Sequence, residues 1–474
     1  MFQEERRQIF MRQMTLKNIA EACGGVYYGD PAGQETEIAG AVTDSRQAEP
    51  GYLYIPMRGA RVDGHTFIPD VFAKGAAAVL SEETLKDPAG PYILVESCPQ
   101  ALKDIAEFYR STLRIPIIGI AGSVGKTSTK EMIASVLSEK YRVLKTEGNF
   151  NNEIGLPLTL LRIREEHEAA VVEMGISDFG EMHRLAKMAK PDICVMTNIG
   201  QCHLENLIDR DGVLRAKSEI FDYLKPDGVI VLNGNDDKLS GIGEVRGIRP
   251  MRYFVEDGTA EHMNDGYDVT ADGLVNHGLK GMEAVLHFPE EDCPIHEPIP
   301  GVHNIYNACA AACVGQALGL SRAEICAGIS HAQTIAGRTN LIECGGLMII
   351  DDCYNANPVS MRASLDVLAL AEGRKIAVLG DMGELGENER ELHRGVGAYA
   401  AAKGIDMVLC AGPLSAGLAE EAGKGCQTMH FATQEELTEQ LLTMVRPGDT
   451  VLVKASHFME FPKIVKALRE HAGS

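Results

Sequence analysis

The chain has 474 residues, a hydrophobic content of 45% and a formal net charge of −22. Its length predicts about three domains with sizeable cores, and its acidic balance argues against binding to nucleic acids or anionic membranes and against a nucleic-acid-dependent ATPase. The sequence has no apolar run of membrane-spanning length and no CxxC pair among its 12 cysteines. We therefore expect a cytoplasmic protein with reduced thiols and no membrane insertion.

The first predicted domain is a small α/β unit that spans residues 14–112. We interpret the polar stretch 1–13, which precedes it, as an N-terminal extension. Within the domain, Ser45 and Arg46 stand just before a predicted strand. A solvated turn is the ordinary interpretation of such a pair, although an arginine is well suited to hold a diphosphate.

The stretch 116–130, PIIGIAGSVGKTSTK, has the pattern of a phosphate-binding loop. An apolar strand is followed by a glycine loop, whose amides can approach an anion closely, and by a helix. Lys126 supplies a positive charge for the β- and γ-phosphates, and the Thr127 hydroxyl can bind Mg²⁺. The loop is shorter than the common Walker form, but a Gly-Lys-Thr triplet at a strand–helix junction disfavours an ordinary turn. The predicted ATP-binding residues of this loop are Gly122, Ser123, Val124, Gly125, Lys126, Thr127 and Ser128.

A turn rich in glycine and asparagine follows the next predicted strand, residues 142–145. Its residues Asn149 and Asn152 suit a turn that lines a substrate, because such turns sit at the carboxyl ends of strands in open α/β sheets. The spacing alone fits a plain capping turn equally well.

Three further polar residues stand near predicted strand ends or on the helix that follows them. Glu173 ends an apolar strand, His203 follows the next strand, and Lys217 lies on the helix 211–224. Taken singly, they are typical of a helix cap, a satisfied polar group and a solvated lysine. Together, hard oxygen ligands and an imidazole could hold metal-bridged phosphates.

The central domain is predicted to span 113–334 and the last domain 335–474. Residues 240–300 are interpreted as a peripheral antiparallel extension of the central sheet. From Leu347 onwards, strands and helices alternate in a Rossmann-like pattern, although no GxGxxG motif follows a strand. The predicted strands lie near 347–351, 375–380, 406–411, 427–431 and 449–453, and the predicted helices near 358–371, 388–402, 414–422, 433–444 and 459–471.

The order and spacing of the sequence blocks resemble those of the Mur ligase family from about residue 15 to the C-terminus. The blocks that carry the resemblance are TDSR (43–46), GSVGKTS (122–128), GNFNNEIGLPLTLL (148–161), VVEMG (171–175), AKSEIF (216–221), HNIYNA (303–308), DDCYNANPVSM (351–361) and GDMGELG (380–386). The phosphate loop is shared with the folylpolyglutamate synthetases, whereas GNFNNEIG, DDCYNANP and GDMGELG are similar to the branch that adds D-alanyl-D-alanine. The family's usual threonine before the first loop glycine is replaced by Ala121.

This resemblance implies an N-terminal α/β UDP-binding domain, a central P-loop ATPase-like domain with a mostly parallel sheet, and a C-terminal Rossmann-like ligase domain. It implies an ADP-forming ligase that adds D-alanyl-D-alanine to UDP-N-acetylmuramoyl-tripeptide through an acyl phosphate in cytoplasmic peptidoglycan precursor synthesis. We also expect a monomer. One alternative is a sibling ligase that adds a single amino acid to a muramyl peptide or to folate. The other is a noncatalytic ATP-binding scaffold, which would not need a second metal site.

The resemblance also assigns site residues. It implies two Mg²⁺ ions, one held by Thr127 and Glu173 and a second that shares Glu173. The second ion would also be held by His203 and by Lys217, carbamylated by CO₂. The implied catalytic residues are Lys126, Glu173, His203 and Lys217. The further ATP contacts would be Asn307, Arg338 and Asp352. The UDP-substrate contacts would be Ser45, Arg46, Asn149 and Asn152. Motif position suggests that the D-alanyl-D-alanine contacts are Tyr354, Asn355 and Asn357.

Overall fold

A computed structural model describes residues 10–258 and 266–473 of the chain. The strands form three separate sheets, so the predicted three-domain α/β fold with mostly parallel sheets is confirmed. Residues 1–9 of the predicted extension lie outside the described residues. The end of that extension packs onto the first domain, because Met11 is buried and its amide donates a hydrogen bond to the carbonyl oxygen of Ile38.

The N-terminal sheet has five strands in the order β1-β5-β4-β3-β2. The strands are β1 (Val26–Tyr28), β2 (Gly40–Val42), β3 (Tyr52–Tyr54), β4 (Ala78–Ser81) and β5 (Tyr92–Leu94). The helices are α1 (Leu16–Ala22), α2 (Ile68–Ala73) and α3 (Cys98–Thr112). Strands β2 to β5 run parallel, and β1 is an antiparallel edge strand.

The central sheet has nine strands in the order β14-β13-β12-β11-β10-β9-β6-β8-β7. The strands are β6 (Ile117–Ala121), β7 (Val143–Lys145), β8 (Ala169–Glu173), β9 (Ile193–Met196), β10 (Val229–Asn233), β11 (Met251–Val255), β12 (Val269–Asn276), β13 (Met282–His287) and β14 (Asp292–Glu297). The helices are α4 (Lys126–Ser138), α5 (Gly155–Leu160), α6 (Glu181–Ala189), α7 (Leu204–Leu207), α8 (Arg210–Ser218), α9 (Asp237–Ser240), α10 (His303–Ala317) and α11 (Arg322–Ser330). Strands β6, β8 and β9 are buried at every residue, as expected for parallel strands covered on both faces.

The interpretation of residues 240–300 as an antiparallel extension is only half right. Strand β11 pairs parallel to β10, and β12 pairs parallel to β11. Only β13 and β14 are antiparallel, and their alternating burial matches a sheet with one face on the core.

The C-terminal sheet has six strands in the order β15-β16-β20-β17-β18-β19. The strands are β15 (Asn340–Cys344), β16 (Leu347–Asp351), β17 (Arg374–Gly380), β18 (Met407–Ala411), β19 (Gln427–Phe431) and β20 (Asp449–Lys454). The helices are α12 (Pro358–Ala369), α13 (Glu389–Ala402), α14 (Ser415–Ala422), α15 (Gln434–Met444) and α16 (Pro462–Ala472). Short 3₁₀ helices along the chain cover Pro31–Glu35, Ser45–Gln47, Gly64–Phe67, Glu219–Phe221, Gly278–Lys280, Gly386–Asn388 and His457–Met459.

Strand β15 was not predicted; it forms a hairpin with β16 through Gly345 and Gly346. Both glycines have positive φ, 56° and 78°, as a two-residue hairpin turn requires. The Gly-Gly pair was therefore the signal for an antiparallel edge strand on this parallel sheet.

Two apolar clusters cover the faces of the central sheet. Helices α4, α10 and α11 pack on one face, and α5 and α6 on the other, where α3 of the N-terminal domain joins them. The second cluster continues into the N-terminal domain and includes Leu16 and Leu53. These two domains therefore share a core. No helix in the described ranges has both the length and the apolar character needed to cross a membrane.

Candidate active site

A cavity of about 1110 Å³ lies between the central and C-terminal domains. Parallel strands bring their carboxyl ends to one edge of a sheet, and the cavity is lined by the loops at such edges of both sheets. Predicted site residues in its lining are Ser123, Val124, Gly125, Lys126, Thr127, Ser128, Asn152, Glu173, His203, Asn307, Arg338, Asp352, Tyr354, Asn355 and Asn357. Predicted residues outside this lining are Ser45, Arg46, Gly122, Asn149 and Lys217.

The phosphate loop joins β6 to α4 and is held by close backbone packing. Gly122 has φ 150°, and a Cβ atom there would lie 1.9 Å from the Thr197 hydroxyl oxygen, so only glycine fits. Gly125 has φ 82° and precedes the first residue of α4. No side chain of the described chain caps this helix start, so its first amides are available to an anion. The Lys126 ammonium donates to the Gly122 carbonyl oxygen at 2.9 Å.

Glu173 ends β8 beside the start of α4 and is almost fully buried. Its Oε2 accepts a hydrogen bond from the Thr127 hydroxyl at 2.8 Å, and its Oε1 accepts one from Asn151 Nδ2 at 2.9 Å. A hydroxyl beside a carboxylate is a donor set that fits Mg²⁺, which prefers hard oxygen ligands. Among the described residues no group of three or more His, Cys, Asp and Glu side chains could hold a metal ion. A Mg²⁺ ion here would complete its shell with phosphate and water oxygens, as is common.

Lys217 lies on α8, and its side chain is 1% exposed, so the solvated-lysine interpretation is wrong. Burial lowers the pKa of its ammonium to about 8; Cys202 opposes this shift and the charge of Lys126 adds to it. A buried amine with this pKa is in part neutral near physiological pH, and the neutral amine is the form that reacts with CO₂.

His203 immediately precedes α7 and faces the cavity. Its Nδ1 lies 2.8 Å from a carboxylate oxygen of Glu384, which follows β17 in the C-terminal domain. The imidazole therefore has a partner, as the ordinary interpretation of a lone histidine proposed. That partner comes from the opposite wall of the cavity.

The predicted nucleotide contacts come from three elements. Asn307 on α10 accepts a hydrogen bond from the Thr129 hydroxyl at 2.7 Å, which ties α10 to the helix of the phosphate loop. The guanidinium of Arg338 stacks over the ring of Tyr354 at 4.0 Å. Asp352 follows β16, and its carboxylate forms a buried ion pair with Lys454 at 2.8 Å.

Three of the four predicted UDP contacts, Ser45, Arg46 and Asn149, lie outside the lining of this cavity. The guanidinium of Arg46 is exposed and forms an ion pair with Asp44. Hydrogen bonds from the side chain and the amide of Arg46 lower the pKa of the Asp44 carboxyl to about 2. Asn152 does line the cavity, but its side-chain oxygen accepts hydrogen bonds from the amides of Ile154 and Gly155. The capping interpretation of this asparagine therefore holds.

Two of the predicted D-alanyl-D-alanine contacts also use their side-chain oxygens in hydrogen bonds with the nearby backbone. Asn357 caps α12 in a reciprocal capping box with Ser360. The side-chain oxygen of Asn355 accepts a hydrogen bond from the amide of Ala356. Tyr354 presents its ring to the cavity.

Sequence reasoning missed three residues that complete the site. Asn151 contacts Glu173, Lys454 neutralises Asp352, and Glu384 contacts His203. All three lie at strand ends or in blocks that the sequence singles out. Their positions in the sequence were therefore the available signal. Such a position does not show in which direction a side chain points.

Comparison with known proteins gives three family matches along the chain. The profile described as "Mur ligase family, catalytic domain" matches residues 37–110, "Mur ligase middle domain" matches 120–315, and "Mur ligase, glutamate ligase domain" matches 337–457.

Full-length relatives agree with these matches. The UDP-N-acetylmuramoyl-tripeptide–D-alanyl-D-alanine ligase of Bacillus subtilis is 39% identical over 471 residues, covering 97% of this chain and 99% of that protein. A crystal structure of MurF from Acinetobacter baumannii superimposes with a TM-score of 0.86 at 32% identity, covering 96% of this chain and 98% of that one. The structure of MurF ligase from Thermotoga maritima in complex with ADP has a TM-score of 0.79 at 28% identity, covering 91% and 97%. The chain belongs to the Mur ligase family.

Proposed function

We propose that the protein is an ADP-forming ligase that joins D-alanyl-D-alanine to UDP-N-acetylmuramoyl-tripeptide. The observation that carries this proposal is the 39% identity to the Bacillus subtilis D-alanyl-D-alanine ligase over 97% of the chain. The structure supports it with a phosphate loop that opens into a cavity large enough for a nucleotide and an acyl acceptor.

In this reaction the γ-phosphoryl group of ATP passes to the terminal carboxylate of the tripeptide, which gives an acyl phosphate and ADP. The amine of D-alanyl-D-alanine then attacks the acyl carbon, and phosphate leaves as the amide forms and the amine loses its proton. Lys126 and the first amides of α4 would hold the phosphates, because they are the cation and donors at that wall. Arg338 and Asp352 would approach the nucleotide from the other wall.

Thr127 and Glu173 would hold Mg²⁺, and His203 and Lys217 would serve a second ion. Bound there, the metal would neutralise charge on two anionic reactants that otherwise repel each other. The chain's own contribution is to place a carboxylate and a hydroxyl in contact, and an imidazole in the lining of the same cavity.

The decisive experiment measures phosphate release with ATP, UDP-N-acetylmuramoyl-tripeptide and a panel of amines. We expect release with D-alanyl-D-alanine and a product whose mass equals the tripeptide precursor plus the dipeptide less one water, because amide formation is a condensation. Preferential turnover with meso-diaminopimelate, L-lysine or glutamate would instead identify a sibling ligase. Nucleotide binding without turnover for any amine would identify a scaffold.

We also propose that Lys217 is carbamylated. The buried amine, with its pKa lowered to about 8, can add CO₂ and present anionic oxygens where an ammonium would repel Mg²⁺. Formation of the carbamate should slow as the pH falls below about 8, because the ammonium form does not react with CO₂.

The Lys217→Ala variant tests this modification. We expect turnover to fall by about 100-fold or more, with partial recovery on addition of acetate or another short carboxylic acid. The exposed Lys225→Ala serves as the control and should keep wild-type turnover. Full activity of Lys217→Ala without added acid would contradict the carbamate.

Finally, we propose domain boundaries near residues 112 and 334, a monomer and a cytoplasmic location. One chain supplies both walls of the cavity, and the UDP-linked precursor is a cytoplasmic substrate. Ser45 and Arg46 stay the predicted UDP contacts, since the guanidinium of Arg46 is exposed and could exchange Asp44 for a diphosphate.

A further inference from the structure

The contact between His203 and Glu384 joins the two walls of the cavity. His203 belongs to the central domain and Glu384 to the C-terminal domain, and the imidazole Nδ1 lies 2.8 Å from the carboxylate Oε2. The pair is part of a wider contact, because α7 lies against the 3₁₀ helix Gly386–Asn388. The C-terminal domain thus touches the central domain at a predicted site residue.

The loop that carries Glu384 is fixed to its own domain. The amide of Met382 donates to Nε2 of the buried His393 at 2.8 Å, and the amide of Gly383 donates to the Ser456 hydroxyl at 2.9 Å. The backbone just before Glu384 is therefore held on two sides. The carboxylate of Glu384 therefore extends from a backbone that is held in place.

His203 is tied in turn to the phosphate loop. The thiol of the preceding residue, Cys202, lies 3.2 Å from the Ser123 hydroxyl oxygen. That oxygen also accepts a hydrogen bond from the amide of Gly200 at 2.9 Å. A shift of the His203 imidazole would therefore also displace Ser123, which belongs to the phosphate loop.

Both partners have a left-handed backbone conformation, with φ 50° at His203 and φ 61° at Glu384. This conformation costs a residue with a Cβ atom about 1 kcal/mol and persists where the surrounding structure enforces it. The structure around the domain boundary therefore holds the backbones of both partners in place.

We propose that Glu384 is a positioning residue that sets the orientation of His203 when the C-terminal domain lies against the central domain. This inference rests on the proposed function. The contact between Nδ1 and Glu384 fixes the orientation of the ring, and Nε2 is the nitrogen left to bind a metal. The metal-dependent part of nucleotide binding would then depend on domain contact.

The test compares Glu384→Ala with Glu391→Ala, an exposed glutamate in the first turn of α13 and outside the cavity lining. Calorimetry would measure the affinity for ADP once with Mg²⁺ and once with EDTA. We expect Glu384→Ala to weaken binding about 10-fold with Mg²⁺ and less than about 2-fold with EDTA. Glu391→Ala should match the wild type in both conditions.

A purely structural role of Glu384 would weaken ADP binding equally with Mg²⁺ and with EDTA, and that result would overturn the proposal. An unchanged affinity for ADP with Mg²⁺ would also overturn it. If the alanine variant melts at a lower temperature, Glu384→Met, which keeps the side-chain length but lacks a strong hydrogen-bond acceptor, replaces it. The amine panel tests the proposed function separately. A wild type that ligates D-alanyl-D-alanine, beside a Glu384→Ala variant with normal Mg²⁺-dependent ADP binding, would overturn only the positioning role.

Discussion

The ammonium of Lys126 lies against carbonyl oxygens of its own loop, those of Gly122 and Ser123. These acceptors carry no net charge, so they leave the positive charge of the lysine available to a phosphate. The positive charge of Lys126 also lowers the pKa of Lys217, so the two side chains interact electrostatically. Lys126 is for these reasons the most direct single-residue test of the phosphate loop.

We expect Lys126→Ala to lower the rate of ADP formation by at least about 100-fold, the loss typical of removing one preorganised donor. Its effect on the free energy of unfolding should be below about 0.5 kcal/mol, because the side chain packs on loop carbonyls and not in a core. The control is Lys140→Ala, since Lys140 also donates to a carbonyl oxygen but lies outside the cavity. Near-normal ADP formation by Lys126→Ala would exclude this role.

At this scale the sequence identified where polar residues cluster but not which of them reach the site. Of the three asparagines 149, 151 and 152, the predicted pair were Asn149 and Asn152, yet Asn151 holds the carboxylate of Glu173. Asn152 caps its own turn. The direction of each side chain depends on the backbone conformation of the turn, and residue spacing does not specify that.

At the scale of elements, the apolar runs predicted most of the parallel strands to within a residue or two. Strand β6 and the start of helix α4 fall within the predicted stretch 116–130, because continuous burial and a glycine turn leave strong signals. Strand β15 was missed because its residues are mostly half-buried and resemble a loop in composition. The edges of the sheets were thus harder to predict than their centres.

Strand β14 carries a prediction of its own at Glu297, which is fully buried. One carboxylate oxygen accepts a hydrogen bond from the amide of Ile299, and the other has no partner among the described residues. Burial raises the pKa of this carboxyl from 4.5 to about 8. Between these pH values the folded protein keeps a proton that the unfolded chain releases. Glu297 therefore lowers the free energy of unfolding as the pH rises.

Glu297→Gln removes this titration. We expect the midpoint of thermal unfolding of the wild type to fall more steeply from pH 5 to pH 8 than that of the variant. The wild type should lose about 1.4 kcal/mol of stability relative to the variant for each pH unit of this window, since one pKa unit corresponds to about 1.4 kcal/mol. The exposed Glu290→Gln, in the turn between β13 and β14, should keep the wild-type slope. Equal slopes for Glu297→Gln and the wild type would contradict the prediction.

For the molecule as a whole, the packing of the three sheets indicates which parts move together. The N-terminal and central domains share one apolar cluster, whereas the strands and helices of the C-terminal domain build two clusters of their own. The C-terminal domain meets the central one around the cavity through polar loops, and Leu279 of the central domain packs against one of its clusters. A ligand that contacts both walls should therefore favour the arrangement in which they are close.

Hydrogen exchange can measure this coupling. With Mg²⁺ and a nonhydrolysable ATP analogue, we expect amide exchange to slow in the loops 198–204 and 380–386, one on each wall. Exchange in the shared core near Leu53 should be unchanged, because that core lies away from the cavity and is already packed. The Lys126→Ala variant, which lacks the cation of the phosphate loop, should show little slowing at the same analogue concentration. Slowing confined to the central wall would mean that the nucleotide does not draw in the C-terminal domain, and that the dipeptide or the tripeptide must supply that contact.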